Sequence, residues 1–244
     1  MNHSERTAII TGASSGIGLG LAEAFLKAGF NVVGTGRSSA RLDAARTALG
    51  MGERFVPVAG DVGDPTVAEA AFARAIEAFG HVDVLVNNAG IFTAKPFVDF
   101  TPDEIDEQIA TNLKGALYFS QVAARHMSER RRGAIVNVTA SIALQAHSSV
   151  PALMAAALKG GLNQATRALA LELAPYGVTV NAVAPGVVDT PMHAPETHDA
   201  LGQMHPLGRI ADVSDIARAV QYLVQSEYVT GTILPVDGGF SAGR

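Results

Sequence analysis

From one end of this chain to the other, strand-length apolar runs alternate with longer helical patterns. Nothing else in the sequence restricts the fold as strongly. Runs with few charges, bounded by turns, read as strands buried on both faces, and parallel strands need crossover helices to connect them. The pattern predicts strands at Thr7–Thr11, Asn31–Thr35, Phe55–Ala59, Val84–Asn87, Ala134–Val138, Val178–Val183 and Thr232–Val236. Helices are expected over about Gly16–Ala28, Ser39–Leu49, Pro65–Phe79, Pro102–Glu129, Ala152–Ala174 and Val213–Gln225. No linker, repeat or low-complexity block interrupts them, so residues 1–244 read as one α/β domain, a parallel sheet with helices on both faces. The least regular stretch, 186–206, holds Pro191, Pro195 and Pro206 beside His193, His198 and His205. It follows a strand's carboxyl end, where such sheets bind ligands, and reads as a substrate lid.

Composition narrows the partners. Hydrophobic residues make up 48% of the chain, charged residues 17%, and there are 25 glycines, which fits a compact domain with many tight turns and much surface in subunit contacts. The net charge is −5 and no basic run exceeds Arg130-Arg131-Arg132, which argues against nucleic acid. The chain has no cysteines, so disulfide and thiolate chemistry are excluded. Residues 1–6 are short and polar, and neither a secretory signal nor a membrane span is visible. A cytoplasmic location is the expectation. No metal site is expected.

The first strand runs into Thr11-Gly12-Ala13-Ser14-Ser15-Gly16-Ile17-Gly18. Glycines here let the backbone turn sharply, approach a pyrophosphate and pack the helix on the sheet, while the helix N-terminus offers free amides to the phosphates. The plainer reading, a tight turn packed for structural reasons, loses weight because the turn follows a strand and opens a helix. The second strand ends in Gly34-Thr35-Gly36-Arg37. An acidic residue near this place would hold a ribose 2′-hydroxyl; Gly36 instead leaves room, and Arg37 can pair with a 2′-phosphate. Ser38 and Ser39 could add hydroxyl donors. NADP(H) is therefore favoured, with NAD(H) as the alternative. Asp61 has the character to receive an adenine amino group, against a plain turn or N-cap role.

These residues, with Asn87-Asn88-Ala89-Gly90, resemble the classical short-chain dehydrogenases/reductases. The likeness continues through Asn112, Lys159-Gly160-Gly161, Val180–Gly186 and the ending Val236-Asp237-Gly238-Gly239. It implies a Rossmann-type doubly wound sheet, a homodimer or homotetramer, and hydride transfer between nicotinamide and a small-molecule alcohol or carbonyl. The cofactor residues it implies are Gly12, Ser14, Ser15, Gly16, Ile17, Gly18, Arg37, Asp61, Val62, Asn88, Ala89, Gly90, Lys159, Pro185, Gly186, Val188 and Thr190.

The family's catalytic group is an asparagine, a serine, a tyrosine and a lysine. Asn112 and Lys159 match their places, and the serine falls on Ala140 or Ser141, with Ser141 preferred and Thr139 a substitute. The tyrosine maps onto Ala155. On a helix, positions i and i+4 share a face, so a phenol at 155 would lie beside Lys159, whose charge makes it a usable acid. Without it, the stand-in donors are His147, His193, Lys159 through a water, or Ser141; for each histidine a surface or packing role is the plainer reading. The expected function is an NADP(H)-dependent oxidoreductase with an altered catalytic group. The alternatives are a nucleotide-binding pseudoenzyme, or a lyase or isomerase on the same scaffold.

Overall fold

The structure, a computed structural model, describes residues 6–243; the polar stretch 1–5 and the last residue lie outside the described residues. Seven parallel strands form one sheet in the order β3-β2-β1-β4-β5-β6-β7. They are β1 (Thr7–Ile10), β2 (Asn31–Gly36), β3 (Phe55–Ala59), β4 (Val84–Asn87), β5 (Gly133–Val138), β6 (Val178–Pro185) and β7 (Ile233–Val236). The long helices are α1 (Gly16–Lys27), α2 (Ser39–Leu49), α3 (Pro65–Phe79), α4 (Pro102–Ile109), α5 (Gly115–Arg130) and α6 (Leu153–Leu173). A short α7 (His198–Gly202) and then α8 (Val213–Gln225) follow.

Alternation along the strands sends successive side chains to opposite faces. Ala8 and Ile10 of β1 join α1 and α8 through Leu21, Phe25, Ile216 and Val220. Ile9 between them faces the other layer, with Phe72 of α3, Phe119 and Met127 of α5 and Leu173 of α6. The two layers meet the predicted parallel sheet, and most element boundaries agree within two residues. Capping explains several of them. The Asp64 side chain accepts the Thr66 amide at the start of α3, and Thr101 with Glu104 forms a capping box on α4.

One expected element is different. The predicted single helix 102–129 is two helices joined by a π segment, Ala110–Lys114, in which the Gly115 amide donates to the Ala110 carbonyl. The physical reason lies in Asn112. Its Oδ1 accepts the Ile91 amide at 3.0 Å and its Nδ2 donates to the Ile91 carbonyl at 2.9 Å. The wider turn keeps that inward amide locked to the loop after β4. Segment 186–206 also has more structure than expected: a 3-10 turn (Pro195–Thr197), α7, and a parallel bridge between Val188 and Ala211.

The sheet order reverses between β1 and β4, and the ends of these two strands are pinned together. Gly12 has φ +70°, and a Cβ there would stand 3.0 Å from the Ala89 Cα. A Cβ on Gly18 would overlap the Gly12 carbonyl and approach Asn88 Nδ2 to 2.6 Å. Gly18 thus seats α1 against the crevice floor by close backbone contact. We expect Gly18→Ala to destabilise the protein by about 1–3 kcal/mol, the usual scale of overpacking. Chemical denaturation checks this; an unchanged midpoint would show that α1 can move aside.

Candidate active site

A cavity of about 640 Å³ opens at the carboxyl edge of the sheet, over the β1–β4 reversal. That volume is within the range usual for small-molecule and cofactor sites, and the position is where open α/β sheets hold ligands. Its wall includes every residue that the resemblance assigns to cofactor or catalysis except Gly18, which makes the packing contact just described; Ser39 and His147 are also off the wall.

At one end stands the N-terminus of α1. No side chain caps it, and its first turn has no acidic residue, so its amides face the cavity with the positive end of the helix dipole. The turn before it is anchored by the Ala13 amide, which donates to the Thr35 carbonyl at 2.9 Å. Arg37 and Arg41 line the same end. Arg37 has one carboxylate nearby, Glu107 at 3.7 Å, and both side chains are more than half exposed. Such a pair is weak and leaves the guanidinium available. Ser38 lines the cavity; its hydroxyl accepts the Arg41 amide as the N-cap of α2 and keeps its own hydrogen to donate, whereas Ser39 is not on the cavity wall. Arg41 was missed, although its i+4 spacing from Arg37 was a readable signal. Asp61 lines the cavity while its Oδ1 accepts the Gly63 amide at 2.8 Å, so the turn role is present.

At the other end Asn112, Ser141, Ala155 and Lys159 share the wall. The Thr139 hydroxyl is committed to the Val183 carbonyl at 3.2 Å, whereas the Ser141 hydroxyl has no hydrogen-bond partner among the described residues. Ala155 and Lys159 stand one turn apart on α6. Lys159 Nζ donates to the Val138 carbonyl at 2.9 Å, and no carboxylate lies within ion-pairing distance among the described residues. Burial without a counter-ion lowers its pKa to about 8, because desolvation disfavours the ammonium form. The nearby Gly90 leaves room for this amine: a Cβ there would be 3.3 Å from Nζ and 2.9 Å from Asn112 Oδ1.

The histidines separate. His193 reaches the cavity wall, and burial together with His198 lowers its pKa. His147 does not line the cavity; its ring lies 5.6 Å from Phe240 and its Nδ1 is 2.7 Å from the Ser149 hydroxyl, in keeping with the packing role that was its plainer reading. His205 is buried, with Nδ1 donating to the Asp237 carbonyl at 2.7 Å and Nε2 accepting the Val187 amide at 3.3 Å. Those partners fix the ring's orientation and fasten the loop after β6. Phe240, near the chain's end, also reaches the wall, and nothing in the local sequence signalled it.

The sign of the lysine shift gives a test. An unfolded lysine keeps its proton up to about pH 10.4, so between pH 8 and that value the unfolded chain binds more protons and stability rises with pH. Below about pH 8 the folded state carries the desolvated charge in full. Lys159→Met should therefore raise the melting temperature of ligand-free protein by about 2–4 °C at pH 7, with the gain shrinking toward pH 10. Calorimetry that finds Lys159→Met destabilised equally at both pH values would contradict this.

The comparisons with known proteins agree with this geometry. A family model described as enoyl-(acyl carrier protein) reductase matches residues 12–241. The chain is 36% identical to L-rhamnose 1-dehydrogenase (NAD(P)(+)) of Azotobacter vinelandii over 255 aligned positions, covering 96% of each chain. It is 36% identical to human L-xylulose reductase, covering 97% of each. A crystal structure of 3-ketoacyl-(acyl-carrier-protein) reductase from Brucella melitensis complexed with NADH superposes with a TM-score of 0.89 at 32% identity, over 97% of this chain and 98% of that one. With its seven-stranded parallel sheet and the cavity at the sheet's carboxyl edge, the chain belongs to the classical short-chain dehydrogenase/reductase family of oxidoreductases.

Proposed function

We propose that this protein is an NADP(H)-dependent oxidoreductase acting on a small alcohol or carbonyl compound, with Ala155 standing where the family carries its proton-donating tyrosine. One observation carries the reading: a single cavity gathers the α1 N-terminus, the Arg37–Arg41 pair and the Ser141–Ala155–Lys159 group. The residues present fit a dinucleotide. Gly12 and the uncapped α1 amides suit the pyrophosphate, Asp61 and Val62 flank the adenine end, and Asn88, Ala89 and Gly90 form the floor. Lys159, Pro185, Gly186, Val188 and Thr190 close around the nicotinamide end. When bound, the nicotinamide donates or accepts the hydride.

The protein's own task at the reacting end is to hold the carbonyl and manage a proton. Ser141, with a hydroxyl free of protein partners, hydrogen-bonds the substrate oxygen. Asn112 holds the loop at Ile91 in place beneath it. Ala155 offers only a methyl, so the developing alkoxide receives its proton from Lys159 through a water, or from His193, at reduced rate. The apolar, exposed Leu117 on α5 and Leu171 on α6 support association into a homodimer or homotetramer. The net charge of −5, with no basic run longer than Arg130-Arg131-Arg132, supports a small-molecule partner in place of nucleic acid.

Cofactor choice rests on Arg37. Arg37→Ala should weaken NADPH binding by about 1.5–3 kcal/mol and NADH binding far less, because only the former carries the 2′-phosphate. Parallel titrations decide it, and equal losses would overturn the NADP(H) assignment.

The missing acid is tested by addition. Ala155→Tyr places a phenol one helical turn from Lys159 and should raise carbonyl reduction by ~10-fold or more, since a positioned general acid usually contributes ~10²–10⁴. A variant that binds NADPH normally yet reduces no carbonyl faster would show that the acid has moved elsewhere in this chain.

A further inference from the structure

Lys159 differs from every other lysine in the chain. The sequence holds four: Lys27, Lys95, Lys114 and Lys159. Lys27 pairs with Glu23 and Lys95 with Glu104, each at 2.6 Å, and Lys114 is exposed on the π segment. Lys159 is partly buried on the wall of the cavity and has one protein acceptor, the Val138 carbonyl. Four residues earlier on the same helix face there is a methyl group, so no phenol covers the amine.

No carboxylate pairs with its ammonium among the described residues. Strand β5 contributes the Val138 carbonyl, and the Asn112 side chain of the π segment lies beside the same Gly90; His193 and His205 line the same cavity without a hydrogen bond to Lys159. Asp61 lines the cavity but makes no ion pair with Lys159. An amine in such surroundings is partly neutral near pH 8, and a neutral amine is a nucleophile toward carbonyl carbon.

We propose that Lys159 is a covalent capture site for small aldehydes, forming a reversible imine when the nucleotide site is empty. The balance is simple. The Nζ lone pair attacks the carbonyl carbon and a C–N bond forms as the C–O π bond opens. A proton passes from nitrogen to that oxygen, and loss of water leaves C=N. No oxidant or reductant is consumed. The proposal rests on the cavity reading above only for its prediction that nucleotide and aldehyde exclude each other.

The test uses full-length protein, benzaldehyde as the probe, and cyanoborohydride to fix any imine as a benzylamine, followed by peptide mass spectrometry. At pH 8, Lys159 should be labelled ~10-fold or more faster than Lys114, since an ordinary lysine with a pKa of about 10.4 has far less free amine at that pH. Labelling at Lys159 should fall as pH drops to 6, and Ala155→Tyr should slow it by filling the approach. Added NADPH should protect Lys159 and leave Lys27, Lys95 and Lys114 unchanged. Labelling of Lys159 no faster than Lys114 overturns the proposal, whatever the nucleotide does. Fast labelling without NADPH protection upholds the reactive amine and instead counts against the nucleotide reading.

Discussion

Everything at this site hangs on a small clamp at the end of β1. The Thr11 hydroxyl is buried and accepts two amides, those of Asn88 and Ala89, each at 2.9 Å. In return the Asn88 side-chain amide donates to the Thr11 carbonyl at 2.9 Å. These bonds tie the ends of β1 and β4, the two strands between which the sheet reverses its order. A buried polar group left without its partner is destabilising by about 1–3 kcal/mol, so these three bonds hold the two strand ends in place. The glycine turn is fixed by the same residues, and with it the start of α1. If the clamp slackened, the helix amides would no longer face the cavity.

Behind this clamp a second polar network keeps the reacting end in register. The Asn87 side chain donates to Asn137 Oδ1 and to the Ser120 hydroxyl, each at 2.9 Å, and Asn137 donates to Thr166 on α6 at 2.9 Å. Strands β4 and β5 are thereby locked to α5 and to the helix that carries Ala155 and Lys159. Polar networks in a core specify one arrangement because each unpaired member is costly, and this one leaves only Asn87 Oδ1 without a partner among its side-chain atoms. Here the arrangement is a lysine held in a place with too few counter-charges. In a family member with a phenol at the preceding turn, the ammonium serves that acid. In this chain Ala155 offers only a methyl there, and both the proposed loss of a proton donor and the proposed aldehyde capture are argued from that one difference.

Much of this was legible in the residues. Strand and helix alternation gave the layers, since burial on both faces leaves little choice of fold. The glycine turn, Arg37 and Lys159 were legible because each belongs to a local motif, and the cavity wall brings them together. What escaped was non-local. The π segment at Ala110–Lys114 exists because Asn112 must reach Ile91, and residues 110–114 are all compatible with an ordinary helix. His205 reads like a lid histidine, yet its ring is fixed by groups distant in sequence, Val187 and Asp237. Phe240 enters the wall because the Asp237 carboxylate folds the tail back through the Gly239 and Ser241 amides, each at 3.0 Å. Gly18, the last glycine of the turn, packs α1 against the Gly12 carbonyl where only backbone can fit, a contact the motif alone does not locate.

The central claim is that one cavity joins a nucleotide end to a reacting end. A crystal structure of the protein grown with NADPH tests it most directly. The account predicts the pyrophosphate against the first turn of α1, the 2′-phosphate beside Arg37, and the nicotinamide ring in the part walled by Ser141, Ala155 and Lys159. A nucleotide bound elsewhere, or one whose 2′-phosphate points away from Arg37 with its ring outside that pocket, would contradict it.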